Sequence, residues 1–174
     1  MEFLCHKYMD DFFGDKSDKY RYKHIVDALS FIPYGVIVDE FQHIVYENPE
    51  LTAQERKSEY LKLEKKYRPY LSFEGIPYLE LGTRWQYQMH IFESPFYYID
   101  YCIAQCVALG FLRLSRENFA NALEKYVDFM KKTGSVSLTE LIESAGLESP
   151  FIVNAMKKTS DNAVQIINSI EKDI

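Results

Sequence analysis

The strongest constraint on this chain is its helix punctuation. Thr52 followed by Glu55 opens a mostly polar run up to Arg68 that Pro69 stops. The threonine hydroxyl and a glutamate three residues later satisfy each other's orphan backbone N–H groups, and proline cannot continue a helix. Ser137 with Glu140 repeats the device. It stands ahead of Leu138, Leu141, Ile142 and Ala145, which share one helical face, and Gly146 ends the run. Ser94-Pro95 places a capping hydroxyl and a first-turn proline before the apolar run 96–114, and Ser149-Pro150 does the same for a last helix expected to reach nearly to the C-terminus. Ser115 is expected to cap a helix that reaches Lys131-Lys132 and ends at Gly134. Residues 22–47 read as two helical pieces bent at Pro33 and closed by Asn48-Pro49. Only 71–93, with Gly75, Pro77 and Gly82, lacks helical order. Strand signals are weak, and neither a repeat nor a low-complexity linker interrupts the pattern. The expectation is a single all-α segment over residues 1–174, an irregular helical bundle.

The 174 residues are 47% hydrophobic, ample for a core. A net charge of -6 argues against nucleic acid as a partner, because the field of the whole protein would repel phosphate. The first residues lack a basic region followed by an apolar run, and no stretch approaches the ~20 apolar residues a membrane span needs. The expectation is a cytoplasmic protein without a membrane partner. Cys5, Cys102 and Cys106 make an odd count; the last two lie one helical turn apart, wrong for a metal knuckle, and read as small core residues.

A catalytic zinc needs three converging ligands, often two histidines at i and i+4 of a helix. None of His6, His24, His43 and His90 are so spaced. His43 and Glu47 are, which on a helix surface is ordinarily a solvated contact. Neither a nucleophile elbow nor a glycine-rich phosphate loop is present. The densest chemistry runs from Trp85 to Tyr101, within a chain holding fourteen tyrosines and twelve phenylalanines. There a glycine-containing segment delivers His90, and a helix start presents Tyr97, Tyr98 and Tyr101. Spacing puts Tyr97 and Tyr101 on one face and makes Tyr98 and Tyr101 neighbours. A neutral imidazole and phenolic hydroxyls are good donors to an oxyanion or a peptide carbonyl. The same spacing equally suits an aromatic helix packed in a core.

The stretch His90-Ile91-Phe92-Glu93-Ser94-Pro95-Phe96-Tyr97-Tyr98-Ile99-Asp100-Tyr101 resembles the C-terminal signature of oligoendopeptidase F-type zinc metallopeptidases, relatives of thimet oligopeptidase. Residues 31–34, 39–43 and 1–4 are also similar to that family, so the likeness extends over essentially the whole chain. It implies a C-terminal lobe of a catalytic domain that hydrolyses short peptides with zinc. In such enzymes a His-Glu-x-x-His helix and a further glutamate hold the metal, and the likeness sets all of them before Met1. The chain by itself is therefore expected to hold no zinc and cleave no peptide. Glu2 would stand near the face of the third ligand. By resemblance His90 contacts substrate, Tyr98 and Tyr101 donate to its carbonyl and oxyanion, and Tyr97 adds a substrate contact. Assignment among the three tyrosines stays open. The partners implied are a short peptide and the upstream part of the same domain; helix 1 starts mid-pattern with no cap. Uncovered apolar residues there predict self-association. The rival reading is a non-enzymatic helical protein, a degenerate paralogue or an interaction module.

Overall fold

A computed structural model describes residues 1–152 and 154–171. Among them every regular element is helical, as the punctuation predicts. A 3₁₀ turn, Glu2–Tyr8, leads into α1 (Met9–Phe13). After a second 3₁₀ turn, Gly14–Lys16, come α2 (Ser17–Glu47) and α3 (Ala53–Tyr67). The stretch expected to lack helical order holds three short pieces: α4 (Pro77–Glu80), a 3₁₀ turn (Arg84–Tyr87) and α5 (His90–Glu93). The chain closes with α6 (Ile99–Glu117), α7 (Phe119–Lys132), α8 (Leu138–Ser144) and α9 (Ala155–Glu171). No helix among the described residues is long and apolar enough to cross a membrane.

Both capping boxes form. Thr52 Oγ1 accepts from the Glu55 N–H while the Glu55 carboxylate accepts from the Thr52 N–H, and Ser137 and Glu140 do likewise. Other expected boundaries move. Helix α2 continues through Pro33 in one element of 31 residues. Ser115 lies inside α6 and its hydroxyl donates to the Leu112 carbonyl; Asn118, whose side chain accepts from the Asn121 N–H, caps α7 instead. Ser94-Pro95 opens no helix, because Phe96 at φ 63° breaks the backbone and α6 starts at Ile99. A side chain in the left-handed region is costly, so surrounding contacts must impose it. Phe96 has them. Its N–H donates to Gln42 Oε1 at 3.2 Å, and its ring packs on His43 and Tyr46. Ser149-Pro150 likewise precedes a turn, with Asn154 at φ 74° ahead of α9. The expected continuation of the last helix past Glu171 lies outside the described residues.

The chain divides into two compact units: residues 1–29 with 103–174, and residues 30–102. The first has its core where Leu4, Phe111, Leu114, Ala122, Ile142, Ala145 and Leu147 meet. Helix α7 supplies Ala122 and α8 supplies Ile142, followed by Ala145; Leu138 of the expected α8 face is exposed. The second is cored by Ile37 and Phe41 of α2 against Tyr60 and Leu63 of α3, with Trp85 and Ile91 packed alongside. Cys102 and Cys106 are buried, as expected of small core residues.

Candidate functional site

The unit of residues 30–102 contains all four residues singled out by the tyrosine stretch. The α5 turn holds His90, and the first turn of α6 with its approach holds Tyr97, Tyr98 and Tyr101. These two segments join through the left-handed Phe96, so the device that delays α6 also sets the tyrosines against the imidazole. A second local device is Gly35 of α2. A Cβ there would collide with Cys102 Sγ and touch the Tyr98 ring at 3.7 Å, so only glycine lets this end of α6 lie so close to α2.

Three of the four residues converge. His90 Nε2 lies 3.2 Å from the Tyr101 hydroxyl, and the rings of Tyr98 and Tyr101 meet the imidazole edge-on at 5.1 and 5.5 Å. Tyr98 and Tyr101 also meet each other at 5.3 Å. Tyr97 touches the outer side of Tyr101, at 5.6 Å. Exposure separates the tyrosines that spacing left equivalent: Tyr98 is 8% exposed, Tyr101 40% and Tyr97 50%. Burial, with Tyr34, Cys102 and Tyr101 adding to it, pushes the Tyr98 phenol up to about 12. Tyr98 therefore stays a neutral hydroxyl through the physiological range.

The other nitrogen of His90 is occupied as well. Nδ1 lies 2.6 Å from Gln88 Nε2, and Gln88 Oε1 accepts from the Tyr34 hydroxyl at 2.9 Å. The Tyr34 ring in turn carries the guanidiniums of Arg68 and Arg84, 5.1 and 5.0 Å from its centroid. Arg68 is locked by a buried ion pair with Glu64, one helical turn back on α3. Sequence reasoning singled out His90 and the tyrosines but gave no role to Gln88 or Tyr34. Gln88 lies two residues before His90, and Tyr34 ends the family-like stretch 31–34. The 54 residues between them leave no local signal.

His43 pairs with Asp39 at 3.6 Å rather than with Glu47. Glu2, in the other unit, lies 3.4 Å from His24. A recess of about 370 Å³ among Leu61, Arg68, Phe73 and Glu80 contains none of the four expected residues. In the cluster around His90, Tyr97 and Tyr101 are the exposed members. Among the described residues no three or more His, Cys, Asp and Glu side chains gather where they could hold a metal ion. These residues alone do not fit the zinc that the resemblance implies.

Comparison with known proteins places the chain. An oligoendopeptidase F homolog from Borreliella burgdorferi is 30% identical over 147 residues, which is 82% of this chain and 23% of that protein. A solved structure described as PZ peptidase A with an inhibitor is 42% identical and superposes with a TM-score of 0.93, over 99% of this chain and 31% of that one. Another, described as an oligoendopeptidase F, is 45% identical with a TM-score of 0.92, over 99% of this chain and 30% of that one. The chain thus spans less than a third of the length of these relatives. The sequence pattern of Peptidase family M3 matches residues 6–160, and the chain belongs to that family.

Proposed function

We propose that this chain supplies the substrate-binding, oxyanion-donating part of an oligoendopeptidase acting on short peptides. One observation carries the reading: Tyr101, a partly exposed tyrosine whose hydroxyl is bonded to the His90 imidazole. Hydrolysis of a peptide turns a carbonyl oxygen into an oxyanion, and fixed donors aimed at that oxygen lower the barrier. Tyr101 donates its O–H there, while His90 holds the phenol in place. Tyr98 walls the site from behind as a neutral, buried ring, and Tyr97 offers an exposed edge to the peptide backbone. Zinc in the family polarises the carbonyl and activates water. The described residues gather no ligand set for it, and the part proposed for this chain is limited to donating to, positioning and walling the substrate. The other partner in this reading is an upstream part of the same catalytic domain, in keeping with relatives three to four times this length.

The test is Tyr101→Phe in the full-length peptidase. Losing one oxyanion donor lowers kcat by about 10²–10³-fold, or roughly 3–4 kcal/mol. KM moves much less, because the bond strengthens mainly in the transition state. Tyr126→Phe controls for loss of a phenol far from this cluster. A kcat within a few-fold of wild type, with zinc content unchanged, would return the tyrosines to packing alone.

A further inference from the structure

We infer that Gln88 is a positioning residue: it confines the single proton of neutral His90 to Nε2, which leaves the Tyr101 proton free to point at substrate. The inference rests on the oxyanion role proposed for Tyr101. Three bonds in series carry it, from Tyr34 Oη to Gln88 Oε1 at 2.9 Å, Gln88 Nε2 to His90 Nδ1 at 2.6 Å, and His90 Nε2 to Tyr101 Oη at 3.2 Å.

The direction of the series follows from the bond between Tyr34 and Gln88. The charged groups packed on the Tyr34 ring are Arg68 and Arg84, and a guanidinium carries donors but no acceptor. The Tyr34 O–H itself donates to the carbonyl oxygen of Gln88, at 2.9 Å. An amide whose oxygen faces Tyr34 turns its NH₂ toward His90, so Nδ1 must accept. The neutral imidazole then has its proton on Nε2 and donates to the Tyr101 oxygen. That oxygen is committed as an acceptor, and its own O–H points outward. Each bond in such a chain polarises the next, making Tyr101 a better donor than an isolated phenol. Reversing the amide reverses everything: Nδ1–H would donate to Gln88, Nε2 would become an acceptor, and the Tyr101 proton would turn inward, away from substrate.

Two measurements on the full-length peptidase decide the matter. The first is the ¹⁵N spectrum of histidine-labelled enzyme, with the His90 resonances assigned by their loss in His90→Gln. The expected result is the Nε2–H tautomer; a dominant Nδ1–H tautomer overturns the inference. The second is Gln88→Glu, which keeps the shape but replaces the NH₂ donor with a second acceptor. The new carboxylate requires an N–H from Nδ1. With its single proton held on Nδ1, the imidazole accepts from Tyr101 at Nε2, and the oxyanion loses its donor. The kcat of Gln88→Glu should fall by about tenfold or more from wild type, while KM moves much less. A kcat within a few-fold of wild type, or a KM change that accounts for the whole loss, overturns the inference. Tyr101→Phe with unchanged kcat would instead strike the oxyanion role, and the tautomer measurement would still report on Gln88 independently.

Discussion

His90, in the unit of residues 30–102, has a partner on each ring nitrogen. His6, in the other unit, meets His24 through Nε2 at 2.9 Å, and its buried Nδ1 has no partner. Both sit among aromatic rings, His6 against Phe3, His24 and Tyr20. Yet His6 is buried and His90 only half-buried. Burial first, then the neighbouring His24, Arg116 and Arg21, push the His6 imidazole down to about 4. It is a neutral packing group near pH 7. The comparison shows that a histidine in an aromatic nest does not by itself mark a site. The candidate site differs in that its imidazole is bonded at both nitrogens, one of them to the partly exposed Tyr101.

The comparison breaks most sharply on activity. In the full-length peptidase, His90→Ala is expected to lower kcat by about 10²-fold, since it removes the support of an oxyanion donor. KM rises as well if the imidazole also holds ground-state peptide. His6→Gln is expected to leave kcat within a few-fold of wild type. Equal losses at the two positions, measured by steady-state kinetics with zinc content held equal, would erase the distinction.

Stability against pH separates the pair in the opposite sense. The folded-state pKa of His6 is depressed, from 6.5 to about 4. The unfolded chain therefore takes up a proton that the folded chain refuses. Its contribution is complete above about pH 6.5 and is lost as pH falls toward 4, amounting to roughly 1–3 kcal/mol. Denaturant unfolding of the 174-residue chain at pH 7 and pH 4.5 should show this loss, reduced in His6→Gln, where nothing titrates. An identical pH slope in variant and wild type would mean that His6 charges freely in the folded protein.

Much of this was legible in the sequence where the determining interaction is local. Thr52 with Glu55 and Ser137 with Glu140 act over three residues, and both boxes form. Ser94-Pro95 misled because its outcome depends on Phe96, whose N–H bonds Gln42 54 residues away. The site divides the same way. The run from His90 to Tyr101 carries the family likeness in consecutive residues. The order of exposure among Tyr97, Tyr98 and Tyr101 depends on how α6 meets α2 at Gly35, which no spacing within the run records. Tyr34 and Gln88 escaped notice because their bond, too, joins residues 54 apart.

The smallest effect tests the packing half of the comparison inside the unit that holds the candidate site. Tyr60 of α3 is wholly buried against Phe41, Ile37 and Leu63, and its hydroxyl has no hydrogen-bond partner. Burial, with Tyr34 and Glu64 adding to it, pushes its phenol far up, so it stays neutral. A buried hydroxyl without a partner costs free energy that the ring's packing must offset, and removing it leaves the aromatic contacts in place. Tyr60→Phe should therefore be neutral or stabilising by up to about 1 kcal/mol. It should raise the denaturant midpoint of the chain with no change in slope. The contrast with Tyr101→Phe is the point of the measurement: the same atom is deleted from the same unit, once where it is bonded and exposed and once where it is buried alone. A loss of more than about 1 kcal/mol for Tyr60→Phe would show that its hydroxyl is bonded in solution. Lack of a protein partner would then no longer distinguish packing groups from working ones, and His6 would lose its standing as the packing counterpart of His90.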